Sequence, residues 1–378
     1  MKGVFPQFST RLIIWWLAFV FIFGGGVLAF HFFSEKGAFQ NNEIRRILDS
    51  SSLDEQVELY EALIKRVGPE AAQEELLRSG LPFTGQTHLL NHTVGDYLYD
   101  NFGASGLIRC RDYFLSSCYH GFLIKAIGRG GIQEVKNVME ECKKARPGVD
   151  AQCSHAVGHG LLAWQGYKNL IPALKLCDTL GEDIENFPLF NCHDGVFMEN
   201  IWAVHEDGTP SPDRWWKEDD PVYPCNDPRV EERYLKACWS NQPSLMYQLF
   251  QGDIARVGQE CLAVENPLFQ KTCFDGLARQ IHPLTKSDVF LSFSLCGLMP
   301  SDWVDFCVIT IAASGFGVGD REVPFQICAH FKDSAPQKEC YRTLSGMIKF
   351  HARSSQEKQQ WCGRIQDEAF LKECLAGQ

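Results

Sequence analysis

Apolar and polar positions divide the chain into two regimes. From Leu12 to Phe33 (LIIWWLAFVFIFGGGVLAFHFF) no Asp, Glu, Lys or Arg interrupts 22 residues. As a helix such a run measures roughly 33 Å, enough to cross a bilayer core. Trp15 and Trp16 suit the interface at its start, and Lys2 and Arg11 precede it, which places the N-terminus in the cytoplasm and the rest outside. A cleaved signal peptide is the alternative, but the run is long for one and Val27-Leu28-Ala29 matches a cleavage site poorly. The reading is therefore a cytoplasmic tail over 1–11, a transmembrane signal anchor over 12–33 that holds the protein to the membrane, and an extracytoplasmic body, periplasmic or extracellular.

Beyond the anchor the pattern becomes helical. A polar stem covers 34–45, and Ser52-Leu-Asp-Glu55 is a capping box opening a helix to about Val67. Gly68-Pro69 stops that helix and starts another through Arg78. Thr84 or Thr87 caps a third, carrying His88, His92 and Tyr97 and ending at Asn101-Phe-Gly103. Residues 34–103 thus read as a stem and helical cap packed on the first repeat, and 104–378 as a separate, cysteine-rich domain.

All sixteen cysteines lie between Cys110 and Cys374, an even number in an exported domain, which reads as disulfides. No CxxC occurs, so the usual zinc-thiolate knuckle and the thioredoxin-type redox motif are both missing. The cysteines fall in pairs: Cys110/Cys118, Cys142/Cys153, Cys177/Cys192, Cys225/Cys238, Cys261/Cys273, Cys296/Cys307, Cys328/Cys340 and Cys362/Cys374. Leading members from Cys225 recur after 36, 35, 32 and 34 residues, the size of a helix–turn–helix repeat. Pro147, Pro188, Pro267, Pro300 and Pro336 precede trailing cysteines by four to seven residues. Proline favours the first helical turn, so the trailing cysteine sits early in the second helix and the leading one closes the first. One disulfide then staples each hairpin. Pairing each trailing cysteine with the next leading one fits less well, because the insertion within Ala203–Pro224 falls inside such a link and Cys110 and Cys374 would have to meet end to end.

This period is similar to that of tetratricopeptide-like αα solenoids, of which cysteine-stapled secreted versions exist. The resemblance covers about 110–378 and implies an all-α, right-handed αα-repeat solenoid of about eight stapled hairpins. The W, LG, Y, A and P consensus is absent, so no ligand preference carries over. The CxHG and CxHxxGHG phrases also resemble those of exported bacterial proteins without an established function.

Histidine is what changes the picture. His88 and His92, and His155 and His159, are HxxxH pairs, each sharing one helix face as a metal chelate requires. Aligned two positions past the trailing cysteine stand His120, His155, Asp194, Ser240 and Asp275, then Ile309 and Arg342; in stacked repeats these form a row. Five of eleven histidines fall within 72 residues. Each alone reads as a core histidine bonded to carbonyls; together they predict that His88, His92, His120, His155 and His159 converge on one metal centre, with Asp194 or Glu199 completing the shell or orienting a ring. Glu199, inside an apolar helix, needs a partner, and is the candidate acid/base of a catalytic version; an exposed helix-end Glu is the alternative. His193 is one position off the row and should face elsewhere. Gly121, Gly158, Gly160 and Gly195 predict close helix contact or room for something bound. Histidine and carboxylate ligation without thiolate suits zinc, copper, iron or nickel, or haem held by two imidazoles.

Composition narrows the function classes. The chain is 45% hydrophobic and 22% charged, which excludes wholesale disorder. A net charge of −11 leaves no basic stripe for nucleic acid. Asn91-His-Thr93 fits a glycosylation sequon, and Gly315-Phe-Gly-Val-Gly319 reads as a helix end. Two tryptophans, Trp215 and Trp216, close the insertion, which reads as a lid, a peptide-binding lip or a plain loop. Three functions remain open: an extracytoplasmic metalloprotein, a metal store or sensor, and a non-enzymatic scaffold binding a protein, peptide or envelope polymer along the solenoid face.

Overall fold

A computed structural model describes residues 43–50, 52–79, 85–111, 113–114, 116–144, 149–179, 191–202, 213–352 and 354–376. The signal-anchor run 12–33 lies outside the described residues, and among those described no helix is long and apolar enough to cross a membrane.

The described chain is helical throughout, without a strand. The cap consists of a short helix α1 (43–48), α2 (Leu53–Val67), α3 (Pro69–Arg78) and α4 (Gly85–Phe102). The Ser52 hydroxyl accepts from the Glu55 amide at 3.2 Å, as the capping box predicts, and Pro69 opens α3. The fully buried Tyr60 donates to the Ala72 carbonyl at 3.0 Å and locks α2 to α3.

The stapled region continues as α5 (Ser117–Lys144), α6 (Val149–Gln165), α7 (Leu170–Asp178), α8 (Cys192–Trp202), α9 (Glu232–Leu249), α10 (Ile254–Leu262), α11 (Pro267–Ile281), α12 (Val289–Cys296), α13 (Val304–Gly317), α14 (Val323–His330), α15 (Ser334–His351), α16 (Ser355–Cys362) and α17 (Glu368–Ala376). Gly131, at φ 58° and ψ −153°, breaks α5 into two arms. The first arm carries Cys118 and the second Cys142, so α5 ends one hairpin and begins the next.

All eight disulfides join consecutive cysteines: Cys110–Cys118, Cys142–Cys153, Cys177–Cys192, Cys225–Cys238, Cys261–Cys273, Cys296–Cys307, Cys328–Cys340 and Cys362–Cys374. All sixteen sulfurs belong to buried residues. In six pairs the leading cysteine lies on a helix, at or near its end, as the spacing predicts. Two differ: Cys110 follows a 3-10 helix (Gly103–Arg109), and Cys225 lies in the turns after the insertion. Both follow irregular sequence, where no α-helix precedes the staple to be closed. Gly317 ends α13, and Gly319 follows at φ 108°.

The cap helix α4 and the helices that carry trailing cysteines pack in series: α4 on α5, α5 on α6, α6 on α8, α8 on α9, α9 on α11, then α13, α15 and α17. Glycine sets the spacing in the first rungs. A Cβ at Gly121 would stand 2.1 Å from the His92 carbonyl oxygen, and one at Gly195 only 1.9 Å from that of His155. Gly158 meets the Cys192 carbonyl in the same way, at 2.0 Å. These glycines serve backbone contact between helices, and that contact brings the histidines on adjacent rungs together.

Candidate metal centre

Three consecutive rungs, α4, α5 and α6, supply the five histidines. His88 and His92 lie one turn apart on α4, with ring centroids 4.7 Å apart; His155 and His159 do the same on α6 at 4.9 Å. His120 of α5 stands between the pairs. Its ring is 5.1 Å from His88, 5.6 Å from His92, 5.2 Å from His155 and 4.6 Å from His159. The predicted convergence is therefore present, with a different topology: not one centre but two triads, His88/His92/His120 and His120/His155/His159. Each offers three ligand atoms within 4.8 Å of one another and could hold a metal ion. The reason is the packing order: α5 packs on both α4 and α6, and among the described residues the ring of His120 contacts both pairs.

The partners behind the rings fix their tautomers. His88 Nδ1 lies 2.9 Å from the Phe114 carbonyl oxygen, which can only accept, so that nitrogen carries the proton. His159 Nδ1 is 2.8 Å from Glu199 Oε2, and His155 Nδ1 is 3.1 Å from Asp194 Oδ2. His88 and His159 thus turn Nδ1–H outward and leave a lone pair on Nε2, and His155 sets its Nδ1 beside a carboxylate. The Nε2 atoms of His155 and His159 face each other at 3.1 Å, and His88 Nε2 faces His120 Nδ1 at 3.2 Å. His92 Nε2 is buried without a hydrogen-bond partner.

Burial keeps His88, His92, His120 and His155 neutral. Burial pushes the His88 imidazolium pKa down to about 4, and pushes His92 and His120 well below their ordinary value, helped by the neighbouring histidines. Burial also lowers His155, against the pull of Asp194. For Asp194 burial opposes ionisation, but His155, Arg279 and the Asn241 amide outweigh it and hold the carboxyl below its usual range. Neutral imidazoles with inward lone pairs are the form in which histidine binds metals.

Asp194 therefore stands behind His155, its Oδ2 3.1 Å from Nδ1, and lies outside both triads. The Asn241 amide donates to its Oδ1 at 2.7 Å from the next rung. Glu199 is enclosed, not the exposed helix-end residue of the alternative reading: Oε2 accepts from His159 and Oε1 from the Tyr167 hydroxyl at 3.0 Å. Burial and Glu199 raise the Tyr167 pKa. The row continues as Ser240, which accepts from Arg279, itself paired with Asp275 at 3.0 Å. It then turns apolar at Ile309 and exposed at Arg342. His193 faces away, 3.0 Å from Asp178, as its register predicts.

The sequence pattern does not disclose Phe114, Tyr167 or Asn241. Phe114 (φ 52°) and Ser116 (φ 58°) turn the short Cys110–Cys118 loop through left-handed backbone, where no periodicity applies. Tyr167 follows the Gly166 turn after α6. Asn241 is three residues past Cys238, next to the row, and only the rung contact shows that it reaches Asp194.

The foot of the insertion sits at the Tyr167–Glu199 edge. Asn200 donates to the Trp215 carbonyl and accepts its amide, and the Trp215 indole donates to the Lys168 carbonyl at 3.0 Å. Its residues 203–212 lie outside the described ones. Asn91 is fully buried and donates to Ser117 Oγ at 2.8 Å, so the sequon is not an acceptor in the folded chain. Comparison with family models, curated proteins and solved structures finds no match to this chain.

Proposed function

We propose that the chain is an extracytoplasmic, helical-repeat metalloprotein whose resident ion is a divalent transition metal (zinc, copper or iron) held by His120, His155 and His159. One observation carries this reading: Nε2 of His155 and Nε2 of His159 face each other at 3.1 Å, while His159 Nδ1 is hydrogen-bonded to Glu199 and His155 Nδ1 stands 3.1 Å from Asp194 Oδ2. Two lone pairs at that distance repel unless a cation lies between them, and burial disfavours a proton in that role. Tetrahedral zinc with bonds of 2.0–2.1 Å needs ligand nitrogens roughly 3.3 Å apart, close to this separation. His120, with Nδ1 turned to His88, has Nε2 as its other donor. Three histidines leave a fourth position for water or substrate, and an ion there would supply Lewis acidity. Glu199 and Asp194 act as positioning residues, fixing ring orientation and raising ligand basicity. Neutral nitrogen donors without thiolate fit zinc, copper and iron alike.

The surrounding reading is a tetratricopeptide-like, right-handed solenoid tethered by the 12–33 segment, with its stapled hairpins in an oxidising compartment such as a periplasm. Eight buried disulfides support that compartment. A concave face binding a protein or peptide would come with such a solenoid.

The test is elemental analysis of protein exported and purified without a metal-affinity tag. Wild type should carry close to one tightly held ion, and the double variant His155→Ala/His159→Ala less than a tenth of that. Glu199→Gln keeps a hydrogen-bond partner but loses the charge, and should weaken binding about 10-fold or more. Wild type and double variant equally free of metal, even after exposure to zinc, copper and iron salts, would overturn the assignment in favour of a binding scaffold with a polar core.

A further inference from the structure

The geometry points to a second ion, bound by His88, His92 and His120, that shares His120 with the first; this rests on the metal reading above. The proton between His120 and His88 is the key to it. Because the Phe114 carbonyl fixes His88 as the Nδ1–H tautomer, its Nε2 can only accept, and His120 Nδ1 donates to it across 3.2 Å. That N–H is the one proton inside the His88/His92/His120 triad that the geometry places. His92, whose Nε2 is buried without a hydrogen-bond partner, completes a set of three histidines whose ligand atoms lie within 4.8 Å of one another. A metal that displaces the His120 proton gains all three donors at once. His120 then bridges two ions as an imidazolate: Nδ1 binds the new ion, Nε2 the first, and the proton leaves to solvent.

Charge sets the order of filling. Asp194 and Glu199 both back rings of the His120/His155/His159 triad, through His155 and His159. The other triad has the neutral Phe114 carbonyl behind His88. A dication in a buried site requires compensating charge. The carboxylate-backed triad therefore fills first, and the second ion binds once the imidazolate supplies one negative charge between the two. His120 is suited to this role by position, since its ring contacts both HxxxH pairs.

The experiment uses the full chain with its disulfides intact, stripped by chelator and titrated with Cu(II) alone. Bound metal is read by native mass spectrometry and coupling by electron paramagnetic resonance. Wild type should take two ions in sequence. The resonance signal should grow to one equivalent and fall by at least half by the second, because an imidazolate couples the two spins. His92→Ala should stop at one ion with its signal undiminished, and His88→Gln should do the same, which guards against a folding defect of either variant. One ion in wild type and one in His92→Ala would overturn the second site and leave the metal reading standing. No ion in either would overturn both. Two ions whose signals simply add would show that His120 does not bridge and would overturn the shared centre.

Discussion

The hairpins from Cys110 to Cys192 and those from Cys261 to Cys374 share one staple and differ in what stands two residues beyond it. In the first set that position holds His120, His155 and Asp194, each about 2% exposed. In the last it holds Asp275, ion-paired with Arg279, then Ile309, packed in the core, and Arg342, whose side chain is 58% exposed. The disulfide is the same device in both: Cα–Cα separations run from 5.4 to 6.4 Å, in the usual range for an unforced bridge. What changes is the side chain that each rung carries there. Early helices approach through Gly121, Gly158 and Gly195, close enough for imidazoles on adjacent helices to meet. Gly276 makes the same kind of approach to the Ser240 carbonyl on the next pair of helices, but no histidine stands there. The staple and the packing in series thus run along the whole described region, and the histidine cluster is confined to its first rungs.

The largest contrast should appear in acid. In the metal-free protein His88, His92, His120 and His155 are held neutral by burial, whereas in the unfolded chain histidine takes up a proton near pH 6.5. The folded pKa values are depressed, so the unfolded state binds more protons below about pH 6.5 and stability falls as pH drops from there through the folded values. For His88, lowered to about 4, the loss approaches roughly 3 kcal/mol once pH is below both values. Among the described residues of the second half, His282 is the comparable group, also pushed down to about 4 by burial. Limited proteolysis with pepsin near pH 4.5 should therefore cut first between 85 and 202, and bound metal should delay those cuts. First cuts between 254 and 376 would break the contrast.

Staples should matter alike in both halves. Removing a bridge that closes a loop of 11 residues costs about 2–4 kcal/mol, whichever repeat holds it. Cys142→Ala/Cys153→Ala and Cys296→Ala/Cys307→Ala have equal sequence separation, 11 in each case, and should lower stability by similar amounts in denaturant titrations. Metal affinity should separate them, because Cys153 is two residues before His155 while Cys307 lies on α13, away from the rungs that carry the site. Equal loss of metal from both variants would mean that the site depends on the whole stack and not on its local rungs.

Much of this arrangement is legible in the residues. Cysteine spacing predicts every bridge because a staple needs its two members at fixed places in each hairpin, and that periodicity survives divergence between repeats. The HxxxH pairs are legible for the same reason, a fixed helical pitch. The division into two triads is not, since it depends on α5 packing on both α4 and α6. The role of Asp194 is likewise hidden: the row places it beside His155, but only the structure shows its oxygen at Nδ1, the far side of the ring from the paired Nε2 atoms. Tyr167 and Phe114 belong to a turn and an irregular loop, where contact is decided in three dimensions.

The smallest effect is expected at Arg342, and its smallness is what makes it informative. It stands two residues past Cys340, the position that His155 occupies past Cys153. Its guanidinium pairs with Glu339 at 2.6 Å, one turn back on α15, and lies 4.0 Å from Glu373 of α17. Both partners are more than half exposed, so water already screens the charges, and such pairs contribute about 0–1 kcal/mol. Arg342→Ala should shift the melting temperature by no more than a few degrees and leave metal content unchanged, whereas His155→Ala removes a ligand and strands Asp194 in the core. If Arg342→Ala destabilised the protein as much as His155→Ala, the row position itself would be structural, and the histidines of the early rungs would need no ion to explain them.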